Sequence, residues 1–174
     1  MSMYPIATTG VLASNTTNIV LSNIPQTFNH LQLRIFGRSS SAAFGTNVPG
    51  GFNGDGGNNY SYHYIGSNAA STFAGATASA NALNFGWIAG TTSPSNTFSA
   101  NVIDILDYTS TNKYKVVKSF NGTDGNSSAL SLVGYWSGLW LSTAAITSIN
   151  LSNTFAAGTR VDLYGISTST MAGA

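Results

Sequence analysis

The run GGFNGDGGNNYSYHYIGSN, Gly50 to Asn68, is the chain's closest gathering of groups that could do chemistry: Asp55, several amides, a tyrosine ladder and His63. A calcium loop needs several oxygen ligands and usually a bidentate carboxylate. Asn53, Asp55, Asn58 and Asn59 offer oxygens, but Asp55 is the single carboxylate in the run. One negative charge holds a dication weakly, so a glycine-rich turn is the preferred reading. A phosphate cradle needs its glycines to open a helix, whereas NNYSYHY alternates like a strand. For acyl transfer the bases are His30 and His63. Ser61 and His63 share a strand face, about 6 to 7 Å apart, too far for a direct bond without favourable rotamers, and no G-x-S-x-G elbow is present. Asp104 and Asp107 have opposite strand parity, so an ion-pair or turn role is expected for them rather than a glycosidase pair. No catalytic, cofactor or metal residue is assigned, and the chain reads as a non-enzyme that needs no cofactor.

Two further constellations have plainer readings. In KYKVVK, Lys113 and Lys115 share one face and Lys118 takes the other; three lysines around Tyr114 are too few for a single-strand platform, and lysines guarding an edge strand are expected. Trp136 and Trp140 share parity with Leu130 and Leu132. Exposed, the two rings would stack on sugars, the alternative function considered for this chain; tryptophans on a leucine face are more often core.

These groups sit in an unusually neutral chain of 174 residues, with six Lys plus Arg, five Asp, no Glu, and 6% charged residues against about 25% in average domains. A net charge of +1 provides no field for nucleic acid or anionic lipid, so neither a nucleic acid nor a membrane is expected as partner. The absence of cysteine excludes disulfides and thiolate zinc sites. The N-terminus MSMYPIATTGVLAS reads as neither signal peptide nor membrane span. At this length one domain, residues 1–174, is expected.

The elements that must position these residues are strands. Sustained helical spacing is missing, and short apolar or alternating runs recur between turn signals. Strands are predicted at 18–23, 31–37, 59–66, 82–90, 97–108, 113–122, 129–140, 146–152 and 159–167, which gives an all-β, antiparallel β-sandwich. The N-terminal segment is expected to be extended, and long loops are expected near 39–58 and 67–81, the second with an edge strand as the other reading. Asn121 to Ser128 reads as a hairpin loop. By alternation, Val161 with Leu163, and Tyr114 with Val116 and Phe120, point inward. The strand from Thr97, with Val102 and Leu106 on one side and Ile103 and Ile105 on the other, is expected to be central and covered on both faces.

So little charge leaves few means of blunting sheet edges, which favours a part of a larger assembly over a freely diffusing enzyme. The segments ATTGVLASNTTNIVLSNIPQTFNHLQLRIFGRSS, GGNNYSYHYIGSN and AAITSINLSNTFAAGTRVDLYGIS resemble a class of tailed-bacteriophage virion structural proteins. In that class a NIPQT turn precedes a strand, a YS.H strand follows a glycine-rich loop, and an F..GT...LYGI strand closes the domain. The matching segments are Asn23 to Thr27, Tyr60 to His63 and Asp162 to Ile166. The resemblance implies a jelly-roll-like sandwich, often trimeric, that cements or decorates a capsid or forms part of a tail fibre. The expected function is thus a homotrimeric decoration protein on the capsid surface of a virion assembled in the host cytoplasm, with the major capsid protein as partner. Asp55, Tyr60, Tyr62 and His63 are the expected subunit or capsid contacts. Trp136 and Trp140 are the glycan-stacking residues of the tail-fibre or carbohydrate-binding alternative.

Overall fold

The computed structural model of the chain describes residues 2–68, 71–126 and 131–168. In chain order the strands are β1 (Ser2–Val11), β2 (Thr16–Leu21), β3 (His30–Gly37), β4 (Gly45–Phe52), β5 (Tyr60–Asn68) and β6 (Ser71–Ala80). They continue with β7 (Leu83–Ala89), β8 (Ser99–Ile105), β9 (Lys115–Thr123), β10 (Leu132–Trp140), β11 (Ile149–Phe155) and β12 (Arg160–Ser167). An eight-stranded sheet of order β1-β12-β3-β8-β9-β10-β5-β6 packs against a four-stranded sheet of order β2-β11-β4-β7. The pairings between these strands are all antiparallel. The expected all-β sandwich is present, built from sheets of unequal width.

Strict alternation forms the core. Leu31, Leu33 and Ile35 of β3, Ile103 and Ile105 of β8, and Val161 and Leu163 of β12 are all buried. They meet Ile19 and Leu21 of β2, Val48 and Phe52 of β4, Phe85 and Ile88 of β7, and Ile149, Leu151 and Phe155 of β11 in one apolar cluster. Successive side chains point to opposite faces, so central strands such as β3 and β8 commit every second residue to this layer.

Four expectations change. The strand from Thr97, β8, is central, between β3 and β9, but it is covered on one face only: Val102 and Leu106 remain exposed. In β9 the faces are inverted. Tyr114, Val116 and Phe120 point to solvent, while Lys115, Val117, Ser119, Asn121 and Thr123 are buried. The cause lies across the sandwich, where edge strand β7 presents backbone groups that need partners. Asn101 and Ser119 donate to the Phe85 carbonyl at 3.1 and 2.8 Å, Asn121 donates to the Trp87 carbonyl, and Ser99 accepts from the Ala89 N–H at 2.8 Å.

The lysines also differ from expectation, because β9 is not an edge strand. Lys115 lies buried, its Nζ donating to the carbonyls of Ser110, Lys113 and Thr143 at 2.7, 2.9 and 3.1 Å, and this burial pushes its pKa down. Finally, the two expected loops contain strands. Within 39–58 runs β4, whose glycines serve close packing: a Cβ on Gly50 would strike the Asn150 carbonyl and come within 2.6 Å of the Phe85 ring. Within 67–81 runs β6, an edge strand of the larger sheet, which is the other reading of that segment. Ser127 to Leu130, part of the expected hairpin loop and of the 129–140 strand, lie outside the described residues.

Candidate functional site

The glycine-rich run is a packed corner. Asn53 and Gly54 adopt left-handed φ of 55° and 68° to turn the chain out of β4, a conformation that asparagine and glycine tolerate best. The Asn53 amide donates to the Ala145 carbonyl at 2.8 Å and accepts from the Thr147 and Ser148 N–H groups at 2.8 and 3.1 Å. Asp55 accepts from the Trp140 indole N–H at 2.7 Å, the Gly57 N–H at 2.9 Å and the Asn59 amide at 3.0 Å. These donors, the indole first, hold its carboxyl below the usual carboxylate range, since each favours the ionised form.

One of the four expected contacts faces inward. Tyr60 is fully buried; its hydroxyl accepts from the Phe52 N–H at 3.1 Å and donates to the Asp55 carbonyl at 3.1 Å. It can touch no partner. Asp55 is half-buried and already occupied by Trp140. Tyr62 is half-buried and His63 exposed. The glycan-stacking pair is also corrected: Trp136 and Trp140 are each only 2% exposed. Trp140 lies against Phe52 and Tyr60, and Trp136 stacks on Tyr64 with ring centroids 5.9 Å apart. Both tryptophans are on the inner face of β10 because their parity partners, Leu132 and Gly138, are there too.

The catalytic candidates stay apart. Across the sheet His63 stands between Ser137 and Ala76, and Ser61 stands opposite Leu139, so no carboxylate joins them. His30 accepts the Asp107 backbone N–H at 3.0 Å through Nδ1. Asp107 pairs with Lys113 at 2.8 Å in a left-handed turn with φ of 49°, and Asp104 accepts from Gln32 at 2.9 Å. Among the described residues no three or more His, Asp, Glu or Cys gather as a metal site.

What the larger sheet does assemble is an apolar outer face. The registers align Val102 with Phe120, Phe120 with Tyr135, and Tyr135 with Ile65, one row across β8, β9, β10 and β5. Phe36, Val116 and Val133 flank this row, and all seven side chains are between 38% and 61% exposed. The neighbouring row is polar: Gln32, Asp104, Lys118, Ser137 and His63. Toward β12, Arg160 pairs with Asp162 at 2.8 Å and Arg34 lies 5.1 Å from the centre of the Tyr164 ring. Sequence reasoning missed this face by assigning Val102, Val116 and Phe120 to the core; the signal it passed over was the polar series Ser119, Asn121 and Thr123 on one parity of β9, which had to face some partner.

A scan against models of protein families finds no match, and a search of curated proteins finds none either.

Proposed function

We propose that this protein is a non-enzymatic virion structural protein of a tailed bacteriophage, a decoration protein that lies on the capsid as a homotrimer and cements neighbouring major capsid subunits. The observation that carries this reading is the uncovered apolar row from Val102 to Ile65. Phe and Tyr side chains each bury on the order of 150–250 Å², and Val and Ile somewhat less. At 38% to 61% exposure, the seven on this face present about 700 Å², close to the roughly 800 Å² per partner of a standard interface. Monomeric proteins seldom leave so large a patch in water. Burial of that face supplies affinity without charge, which suits a surface with so few ions, and several copies on one shell add avidity. The jelly-roll connectivity implied by the resemblance, and the location on the capsid surface, belong to the same proposal.

The test mixes purified protein with capsids that lack it and measures saturable binding and shell stiffness. Saturable binding that is lost in a Phe120→Ser, Tyr135→Ser double variant of unchanged fold supports the assignment. Undiminished binding by that variant, or no binding by the parent protein, overturns it.

A further inference from the structure

We propose that the corner between β6 and β7 is a binding groove for neutral, hydroxyl-rich ligands, that is, for a glycan chain. The groove has a volume of about 420 Å³ and is lined by Asn47, Asn58, Tyr62, Ser79, Asn81 and Asn84 among others. That volume falls in the range of ligand sites, about 300–1,000 Å³. A second hollow of about 340 Å³ continues from it, sharing Pro49, Asn81 and Ala82 and passing the backbone of Gly50 and Gly51. The two hollows adjoin through these shared residues and are open at the surface.

Two departures from regular structure converge on this place from different sheets. In the larger sheet Tyr60 pairs with Ala80 but Tyr62 with Thr77, so β6 carries one extra residue. In the smaller sheet Asn47 pairs with Trp87 but Pro49 with Asn84, so β7 carries one extra residue as well. Bulges of this kind re-aim side chains. The first holds Ser79 at a φ of 52°; every other non-glycine residue of positive φ among the described residues is an asparagine or aspartate. A serine held in that conformation costs free energy, and Ser79 is one of the residues that line the groove.

The lining chemistry selects the ligand. None of the residues lining the first hollow is charged at neutral pH; the second is lined by Asp55, whose carboxylate is already taken up by the Trp140 indole, the Gly57 N–H and the Asn59 amide, so the free groups of the two hollows are neutral amides and hydroxyls. Asn84 is fixed at one end, donating to Asn47 Oδ1 at 3.0 Å and accepting the Gly86 N–H at 3.0 Å. The side-chain amides of Asn58 and Asn81 and the hydroxyls of Ser79 and Tyr62 make no hydrogen bond to other described residues. Each amide offers a donor pair and an acceptor side by side, which matches vicinal hydroxyls, and the Tyr62 ring offers a flat apolar surface for a sugar's C–H face. This site differs from the stacking pair expected from sequence: it replaces two buried tryptophans with an accessible tyrosine and a set of amides.

The test titrates maltotriose, cellotriose and chitotriose separately into the ¹⁵N-labelled protein and follows side-chain amide resonances. The expected result is saturable shifts at Asn58, Asn81 and Asn84 with at least one of the three sugars, at dissociation constants near or below about 10 mM. Asn58→Ala with Asn81→Ala, at two exposed positions, weakens binding about tenfold while the backbone spectrum stays folded. Tyr62→Phe retains binding and Tyr62→Ala loses it. No saturable shift with any of the three, shifts confined to other surfaces, or unchanged affinity in the double variant overturns the proposal.

Discussion

Replacing Asp55 by alanine tests the claim that the glycine-rich run is a packed corner held by one carboxylate. The substitution removes acceptors from the Trp140 indole, the Gly57 N–H and the Asn59 amide. The last two are exposed and turn to water at little cost. The indole belongs to a side chain only 2% exposed, and stranding a buried donor costs about 1–3 kcal/mol. With a few tenths for the lost turn bonds, the expected loss is about 2–3 kcal/mol. For a chain of this length that lowers Tm by about 4–12 °C. The assay is urea unfolding followed by tryptophan fluorescence and circular dichroism, run as a cycle with Trp140→Phe. In the Trp140→Phe background the same Asp55 change should cost less than about 1 kcal/mol, because no indole remains to be stranded. The pH dependence has a definite sign. A carboxyl whose pKa is lowered on folding contributes stability that is present above its unfolded value of 3.8 and is lost as pH falls through the folded value. Asp55→Ala should therefore approach the parent's stability in acid. An equal cost in both backgrounds, or a change below about 0.5 kcal/mol, refutes the reasoning.

Two other substitutions probe the interior. Lys115→Met leaves three carbonyls without their donor and should cost about 2 kcal/mol at neutral pH by chemical denaturation. Because folding lowers the Lys115 pKa, the parent gains stability as pH rises from the folded value toward 10.5, and the variant should lack that gain; Tyr60 and Tyr108, raised by burial, lose stability above pH 10 equally in both proteins. Gly134→Ala places a methyl group into the Trp136 ring, and overpacking of this kind costs about 1–3 kcal/mol, with a changed tryptophan emission as the ring leaves Tyr64.

The strands that sequence revealed are those whose alternation is written in large residues, such as Leu31, Leu33 and Ile35 in β3 or Val161 and Leu163 in β12. The strands it placed in loops, or gave only as an alternative or as an extended segment, use small or irregular residues for geometric reasons. β4 reads GTNVPGGF because Gly50 must pass under the Asn150 carbonyl and beside Phe85. β6 reads STFAGATASA because an edge strand buries little, and Gly75 lies beneath the Tyr64 ring. β1 carries Pro5 and two register shifts, features allowed on an edge. Inverted faces in β9 came from a single assumption, that apolar parity marks the core. That assumption fails where the inner layer must satisfy the backbone of β7 and where the outer layer carries exposed apolar side chains of its own. The candidate groove was illegible for another reason: Asn47, Tyr62 and Asn81 come from three separate segments that meet only in the folded sandwich, beside the two bulges.

The two proposed surfaces occupy opposite sides of one sheet. On β5, Ile65 and His63 belong to the outer face, whereas Tyr62 has inner parity and turns toward the β6–β7 corner. A subunit seated on a shell by Phe120 and Tyr135 thus keeps its groove open to the medium, where cell-surface sugars would meet it. The two occupants do not compete for residues, and the separation has a measurable consequence. Phe120→Ser with Tyr135→Ser should abolish capsid binding and leave the trisaccharide-induced shifts of Asn58 and Asn81 intact, while Asn58→Ala with Asn81→Ala should do the reverse. If either pair disturbs both activities in a folded protein, the surfaces are coupled, and the division of labour between the faces of this sheet is wrong.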